Sequence, residues 1–370
     1  MGIGLYIHIP FCKAKCLYCD FPSYSGIEQL MPKYIEALCE EIKSVSDKQI
    51  DTIFIGGGTP TYLSVEAIKS IGEAINNLNL DKNLEFTVEG NPGTFSEEKL
   101  SALKEIGVNR LSIGLQAVQE QLLKTMGRIH DYSDFLEGYL MAKRCGFNNI
   151  NVDIMFGLPG QSTCMWEETL KKIVDLKPKH ISCYSLILEE GTYFYENYKE
   201  EDLPSEEEER EMYNAAKTIL KDAGFQQYEI SNFAIEGYEC RHNLIYWELK
   251  NYIGLGVSAH SYYNGIRYRN NEDVKKYISD MLKIKSSIAE SHVNSLEDDI
   301  EEFMFLGLRK IAGVSISQFN SKFNKDITSI YGAQIKKHTE NGLLILEGDR
   351  LKLSERGIEL SNFVMSDFIF

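Results

Sequence analysis

The sequence predicts an α/β protein, in which strands alternate with helices over the first 230 residues and a smaller unit follows at the C-terminus. Two observations support this. Six short apolar runs alternate with six longer amphipathic stretches, and several stretches begin at a helix-capping residue such as Ser64, Ser96 or Ser205. Because six strand–helix units are too few for a closed eight-unit barrel, the pattern predicts a doubly wound sheet or an open barrel.

The first part of the chain contains the regular alternation. The predicted strands cover residues 5–9, 52–55, 84–89, 110–115, 151–156 and 180–188. The predicted helices cover residues 33–44, 64–78, 96–106, 133–145, 162–176 and 205–223. The acidic run at 199–211 indicates a solvated helix start, where carboxylates favour the helix dipole.

The regular alternation of predicted strands and helices ends after residue 225. Segments 227–233, 242–247, 252–259 and 266–269 are predicted to be strands and loops that extend one sheet edge, and 271–295 a helical linker. Helical patterns at 296–310, 317–323 and 330–342 then precede a predicted hairpin at 343–353. We therefore expect a core at 1–230, an extension at 231–295 and a C-terminal domain at 296–370.

Composition narrows the class of protein. Hydrophobic residues make up 43% and charged residues 25%, as in ordinary soluble proteins. The net charge of −16 argues against a general nucleic-acid surface, so we expect no nucleic-acid partner. The first predicted strand follows Met1 so closely that we expect no signal peptide. Eight cysteines without export indicate a reducing cytoplasm, where thiols are ligands, nucleophiles or core residues; we expect Cys39, Cys145, Cys164 and Cys183 to be core residues.

Three closely spaced cysteines follow the first predicted strand. Cys12, Cys16 and Cys19 have C-x3-C-x2-C spacing, and thiolates are soft ligands that select zinc or iron–sulfur centres. Three ligands would leave one iron of a four-iron cluster open. A structural zinc site would need a fourth Cys or His, and none lies between Cys19 and Cys39. An iron–sulfur centre is favoured, with zinc and buried thiols as alternatives.

Glycines and polar residues lie at predicted strand ends, where open sheets bind ligands. Gly57, Gly58 and Thr59 follow the second strand, and glycine lets backbone approach a ligand closely. Isolated charges at such positions bind ligands or form structural ion pairs. The polar residues at or just past the later strand ends are Glu89, Gln116, Arg128 and Asp153.

The cysteine loop also carries a resemblance to a known family. The string H-I-P-F-C-x3-C-x-Y-C-D-F resembles the radical S-adenosylmethionine (SAM) superfamily, and within it the relatives of oxygen-independent coproporphyrinogen III oxidase, which include haem chaperones. The resemblance implies a partial (βα)6 barrel, a C-terminal winged-helix-like α+β domain, and a 4Fe–4S cluster on the three cysteines. It further implies reductive cleavage of SAM with an electron from a flavodoxin or ferredoxin type donor. The implied SAM-contacting residues are Tyr6, Tyr18, Gly57, Gly58, Thr59, Glu89, Gln116, Arg128 and Asp153.

Two departures separate the sequence from the oxidases. Oxidases of this family carry a further cysteine after the third and an N-terminal extension, whereas here Asp20, Phe21 and Pro22 follow Cys19 and five residues precede Tyr6. The resemblance therefore favours a haem chaperone. The alternative is a coproporphyrinogen III oxidase or another radical SAM enzyme acting on a tetrapyrrole.

An H-N-x-x-Y-W string at residues 242–247 resembles a signature of the haem chaperones. It implies His242 as a haem ligand, and Cys240, two residues earlier, is an alternative iron ligand or a core residue. His260 lies at another glycine-bearing strand end and either faces the same pocket or packs in the core. By spacing alone, a single histidine beside aromatic residues is more often packed in a core. The implied partners are haem and apo-haemoprotein recipients such as respiratory enzymes, with peripheral membrane contact through those recipients.

Overall fold

The computed structural model describes residues 2–370, and a mixed sheet of twelve strands forms its centre. Six neighbouring strands in this sheet are parallel and follow one another in chain order. The sheet is open, because its edge strands do not pair, and the predicted alternation and open α/β architecture are confirmed. The parallel strands are β1 (Ile3–Ile9), β2 (Gln49–Gly57), β3 (Asn79–Gly90), β4 (Arg110–Gln116), β5 (Asn149–Phe156) and β6 (His180–Ser185).

Helices connect these strands and cover the sheet, and the apolar side chains between them form the main core. The predicted caps are confirmed: Ser64 and Ser96 each accept a backbone N–H three residues on, and Ser205 forms a capping box with Glu208. The helices are α1 (Met31–Lys43), α2 (Val65–Ile75), α3 (Glu97–Glu105), α4 (Glu120–Thr125), α5 (Tyr132–Arg144), α6 (Thr163–Asp175), α7 (Tyr193–Asn197) and α8 (Glu206–Asp222), with 3-10 turns at Glu28–Leu30, Pro60–Tyr62 and Glu200–Asp202.

The later segments extend the sheet at both edges. β7 (Gln226–Gln227) and β8 (Asn232–Ala234) pair beyond β6, whereas β9 (Tyr252–Leu255), β10 (His260–Tyr263), β11 (Ile266–Asn270) and β12 (Ile288–Val293) extend it beyond β1. Two predictions are wrong here. Residues 242–247 are helical, within α9 (Arg241–Trp247), and only part of the predicted linker is helical, as α10 (Val274–Ile284), because β12 pairs with β11.

The C-terminal region has its own apolar core, centred on side chains such as Phe303, Phe319 and Leu351. The three predicted helices and the hairpin are confirmed, and a short third strand completes a small sheet in the order β13-β15-β14. The domain boundaries at 230 and 295 stay predictions. The elements are α11 (Leu296–Gly307), β13 (Val314–Ser315), α12 (Ile316–Phe323), α13 (Ile327–Glu340), β14 (Leu344–Glu347), β15 (Arg350–Leu353), α14 (Glu355–Glu359) and α15 (Ser361–Ser366).

All eight cysteines are free thiols. Cys183 is buried as expected, but Cys164 is exposed, since it lies in the first turn of α6 on the solvent side. Within residues 2–370, no helix combines the length and the apolar character that crossing a bilayer requires.

One buried carboxylate joins the first helix to the extended sheet edge. Glu41 of α1 accepts hydrogen bonds from the Tyr277 hydroxyl (2.6 Å), the Gly256 N–H (2.7 Å) and the Asn270 amide (2.7 Å). Burial raises the pKa of its carboxyl group. These bonds connect α1 with α10, the end of β9 and the end of β11, so Glu41 fixes the strands beyond β1 to the main core.

We expect Glu41→Ala to lower the free energy of unfolding by about 3 kcal/mol, because three buried donors would lose their acceptor. Urea denaturation followed by circular dichroism measures this change. The matched control is Glu36→Ala on the exposed face of the same helix, which should stay within about 0.5 kcal/mol of the unsubstituted protein. Equal effects of the two substitutions would contradict this role of Glu41.

Candidate functional site

The cysteine loop lies at the carboxyl end of β1 and is held by backbone hydrogen bonds. The Cys12 N–H donates to the Tyr24 carbonyl (2.9 Å), the Leu17 N–H to Met126 (3.0 Å) and the Cys19 N–H to Cys16 (3.2 Å). Cys12 is buried, and Cys16 and Cys19 are half-buried. Burial raises the pKa of the Cys12 and Cys19 thiols. The loop therefore presents three partly shielded sulfur atoms from one short segment.

A chain of polar contacts joins two of these sulfurs. The Thr59 hydroxyl lies 3.6 Å from Cys12 Sγ and accepts a hydrogen bond from the Asn91 amide (2.8 Å). Arg128 donates through Nη2 to Asn91 Oδ1 (2.9 Å) and through Nη1 to Cys16 Sγ (3.4 Å). This contact places the positive charge of Arg128 beside the Cys16 sulfur, and the thiolate is the form of cysteine that binds metal. The thiol donors and the adjacent cation thus fit an anionic metal–thiolate centre.

The arrangement of the three sulfurs helps to distinguish a site for a single metal ion from a site for an iron–sulfur cluster. In residues 2–370, no three His, Cys, Asp or Glu side chains are grouped closely enough to hold a single metal ion. A four-iron cluster instead takes one thiolate on each of several iron atoms. The predicted role of Cys12, Cys16 and Cys19 as cluster ligands stays a prediction.

The glycine turn after β2 packs directly against the cysteine loop. The Gly58 N–H donates to the Ile9 carbonyl (2.8 Å), and a Cβ on Gly58 would lie 2.7 Å from the Phe11 carbonyl oxygen and 3.0 Å from Cys12 Sγ. Gly57 has φ +107°, a conformation that side chains disfavour. Both glycines are therefore required by the backbone geometry, whereas the predicted close approach of this turn to a ligand stays a prediction.

Glu89 lies one residue before the end of β3, beside this turn. Its carboxylate accepts the Gly57 N–H (3.1 Å), and burial, followed by the negative charge of Asp153, raises its pKa to about 7. Burial and the charge of Glu89 also raise the pKa of Tyr6 well above its ordinary value. Glu89 therefore changes its charge near neutral pH, and an added cation would favour its ionised form.

Asp153 lies on β5 and is held by neutral donors. It accepts hydrogen bonds from the Ser112 hydroxyl (2.9 Å) and the Asn151 amide (2.8 Å). Burial raises the pKa of its carboxyl group, while these hydrogen bonds and the nearby Arg110 guanidinium oppose that rise. Glu89 and Asp153 thus place two carboxyl groups near each other within the sheet.

Gln116 and Arg128 converge at the end of β4. A Cβ on Gly114 would meet Asn91 Oδ1 at 3.0 Å, Gln116 Nε2 at 3.1 Å and Arg128 Nη2 at 3.3 Å. Gln116 has φ +74°, which strains a non-glycine residue. Arg128 also donates to the Gly114 carbonyl, but its buried Nε has no hydrogen-bond partner in residues 2–370. Asn91, Gln116 and Arg128 therefore surround the Gly114 backbone at the end of β4.

Tyr18 is the remaining residue of the predicted SAM set. It is half-buried inside the cysteine loop and packs on Phe194, with ring centroids 6.1 Å apart. Burial raises the pKa of its hydroxyl group. The structure thus brings the predicted set together around the cysteine loop, with Tyr18 on the α7 side.

Sequence reasoning missed two residues that organise this region. Asn91 links Thr59 to Arg128. His8 donates from Nε2 to the Pro22 carbonyl (2.8 Å) and accepts at Nδ1 from the Tyr6 hydroxyl (2.9 Å). Burial lowers the pKa of His8 to about 4, so its ring is neutral. The signals were present, since Asn91 follows Glu89 by two residues and His8 precedes the cysteine loop.

The His242 side chain is buried in the protein interior. It lies in α9 with Nδ1 2.7 Å from the Thr52 hydroxyl and Nε2 2.8 Å from the Tyr246 hydroxyl, and it is 1% exposed. Burial, followed by the charge of Arg110, lowers its pKa to about 3. Because both ring nitrogens are engaged, iron binding would require the ring to lose one of these bonds. The predicted role as haem ligand stays a prediction that this geometry does not favour.

Cys240, the alternative iron ligand to His242, is not accessible either. Its side chain is fully buried, with Sγ 3.7 Å from the Glu85 carboxylate, which also accepts the His242 N–H (2.9 Å) and the Arg241 N–H (2.9 Å). Glu85 therefore holds the start of α9 and explains why residues 242–247 form a helix there.

A solvent-open cavity of about 460 Å³ adjoins the candidate site. Tyr6 and His8 form its inner wall, and the end of the cysteine loop contributes Phe21 and Pro22. The other walls come from α9, β9, β10 and the end of β11. The sequence indicated that His260 either packs in the core or faces a pocket. In the structure it lines this cavity.

Comparison with known proteins agrees with this arrangement. A model of the radical SAM superfamily matches residues 6–173, and a model of the HemN C-terminal domain matches residues 294–360. The heme chaperone HemW of Bacillus subtilis is 41% identical over 372 residues, covering 98% of each chain. HemW of Lactococcus lactis is 38% identical over 371 residues, covering 98% of this chain and 96% of the relative.

Among solved structures, the coproporphyrinogen III oxidase HemN from Escherichia coli superimposes with a TM-score of 0.87 at 21% identity, covering 99% of this chain and 90% of that one. This likeness shows the fold. The similarity to HemW over nearly the whole length of both chains shows the family. The chain therefore belongs to the radical SAM superfamily and, within it, to the family of the heme chaperone HemW.

Proposed function

We propose that this protein is a haem chaperone that binds haem and delivers it to apo-haemoproteins, with the help of a 4Fe–4S cluster and SAM. The observation that carries the proposal is the 41% identity to a heme chaperone over 98% of both chains. The residues after Cys19, Asp20-Phe21-Pro22, support it further, since they lack the additional cysteine of the oxidases. Eight free thiols support a cytoplasmic location.

In this proposal Cys12, Cys16 and Cys19 hold the cluster, and the residues around them hold SAM. The backbone of Gly57, Gly58 and Thr59 offers polar groups to the amino end of SAM. The vacant Nε of Arg128 supplies a donor for its carboxylate.

The remaining polar residues serve the cationic and sugar parts of SAM. Glu89 and Asp153 supply acceptors for its ammonium or ribose hydroxyls, whereas Gln116 contributes an amide at a strained strand end. Tyr6 and Tyr18 shield the site with their rings. When bound, the cluster supplies one electron to the sulfonium of SAM, and a flavodoxin or ferredoxin type donor would replenish it.

The recipients of haem would be apo-haemoproteins such as respiratory enzymes. Contact with a membrane would then be peripheral and would occur through the recipient. The net charge of −16 argues against nucleic acid as a partner.

The cluster assignment predicts different results for two cysteines. We expect Cys16→Ser to lose most of the bound iron and inorganic sulfide after anaerobic reconstitution, because a cluster would lose one of its three protein ligands. The matched control is Cys164→Ser, since Cys164 is an exposed thiol outside the loop and should leave both contents unchanged. Stoichiometric zinc without sulfide in the unsubstituted protein would contradict the assignment.

Glu89 predicts a pH dependence of SAM binding. Its pKa of about 7 means that its carboxyl group ionises between pH 6 and 8, and only the ionised form attracts the cationic groups of SAM. We expect the affinity of the cluster-loaded protein for SAM to rise across this range and the binding to release protons. Isothermal titration calorimetry in two buffers of different ionisation enthalpy measures both. Glu89→Gln should flatten the profile, and an equally steep profile in that variant would contradict the role of Glu89.

The chaperone function predicts haem uptake and transfer without tetrapyrrole turnover. We expect the reconstituted protein to take up haem and pass it to an apo-haemoprotein, as followed by absorption spectroscopy. An anaerobic assay with a reductant, SAM and coproporphyrinogen III tests the alternative. Decarboxylation that Cys16→Ser abolishes, together with absence of haem transfer, would replace the chaperone with an oxidase.

A further inference from the structure

We propose that haem occupies the cavity beside the cysteine loop and that His260, rather than His242, is its protein ligand to iron. This inference rests on the proposed haem-chaperone function and specifies its binding site. It depends on one open imidazole, on aromatic walls and on the position of the cavity between the H-N-x-x-Y-W helix and the cysteine loop.

His260 has the properties of an available iron ligand. It begins β10, its side chain is exposed and lines the cavity, and it makes no side-chain hydrogen bond to any residue from 2 to 370. Burial and the charges of Arg269 and Arg267 lower its pKa, against an opposing effect of Glu290. A neutral imidazole with an open nitrogen is a standard axial ligand to haem iron.

The cavity has walls suited to a flat aromatic ligand. Tyr246 of α9 and Tyr252 of β9 stand nearly perpendicular, at 86° with centroids 4.6 Å apart, and both line the cavity. Phe21, which is 61% exposed at the end of the cysteine loop, adds a third aromatic ring to the same lining. The volume of about 460 Å³ falls within the usual range for small-molecule sites.

The charges in the cavity lining indicate how haem would be oriented. Arg269, which lines the cavity, is already paired with Glu290 (2.7 Å) and Glu272 (3.4 Å), so the lining offers no uncompensated arginine or lysine for the haem propionates. The propionates would therefore point to solvent, where water stabilises them. Binding would depend on iron ligation and on ring contacts, which is compatible with a ligand that must be released.

His242 has a different part in this arrangement. Its Nε2 lies 2.8 Å from the Tyr246 hydroxyl, and its Nδ1 lies 2.7 Å from the Thr52 hydroxyl on β2. The ring thus fixes Tyr246 against the sheet, and Tyr246 is the residue of this string that reaches the cavity wall. His242 is a positioning residue, which accounts for the string without placing iron in the protein interior.

The test compares ferric haem with iron-free protoporphyrin IX, titrated into anaerobically reconstituted protein. We expect His260→Ala to weaken haem binding by about tenfold or more and to shift the Soret band, because the axial ligand is lost. Binding of protoporphyrin IX should be the same in both proteins. The matched control is His292→Ala, since His292 is exposed on the edge strand β12 and does not line the cavity. It should bind haem like the unsubstituted protein.

His242→Ala separates the two histidines. We expect this variant to keep the Soret position of the unsubstituted protein, with weaker binding of haem and protoporphyrin IX alike. If His242→Ala shifts the Soret band and His260→Ala does not, the cavity assignment is overturned and the chaperone function stands. If the unsubstituted protein binds no haem, the proposed function itself fails. Iron content and circular dichroism of each variant establish that it is folded and loaded.

Discussion

The contact between the glycine turn after β2 and the cysteine loop after β1 is the constraint on which the site depends. A side chain at Gly58 would overlap the Phe11 carbonyl and the Cys12 sulfur, so only glycine lets the two segments lie this close. The contact brings Thr59 beside Cys12, from where Asn91 and Arg128 continue the chain of polar contacts to Cys16. The backbone after two strands and side chains from later elements therefore fix the positions of the Cys12 and Cys16 sulfurs.

The parts of this protein that could be predicted from sequence are those with local causes. The strands β1 to β6 and the caps at Ser64, Ser96 and Ser205 follow from apolar patterning and from side chains that bond their own helix. The positions of the cysteine loop and the glycine turn were also predictable, because each directly follows a predicted strand. By contrast, α9 and β12 depend on distant partners: Glu85 holds the start of α9, and β11 pairs with β12.

The burial of His242 also depends on a distant partner and could not be predicted from the local sequence. Its neighbours in sequence are aromatic, a pattern shared by packed and ligand-binding histidines, and the bond that decides between them comes from Thr52, 190 residues away. Asn91 and His8 were not predicted for a related reason. Both are uncharged, and their importance comes from hydrogen bonds to residues distant in sequence. Arg110, fully buried with an unpartnered Nε in the described part of the chain, likewise sets the charge around Asp153 from within the sheet.

The hydrogen bonds of His8 link the cavity to the end of the cysteine loop, and this link has a consequence for ligand binding. One ring contacts the Tyr6 hydroxyl, in the wall of the cavity, and the Pro22 carbonyl, three residues beyond Cys19. His8, Tyr6 and Pro22 all line the cavity, and Pro22 lies close in sequence to Cys19, so an occupant of the cavity and a group bound at Cys19 would both act on this imidazole. Thermodynamic linkage is reciprocal: whatever factor one ligand exerts on the affinity of the other through this ring, the second must exert on the first.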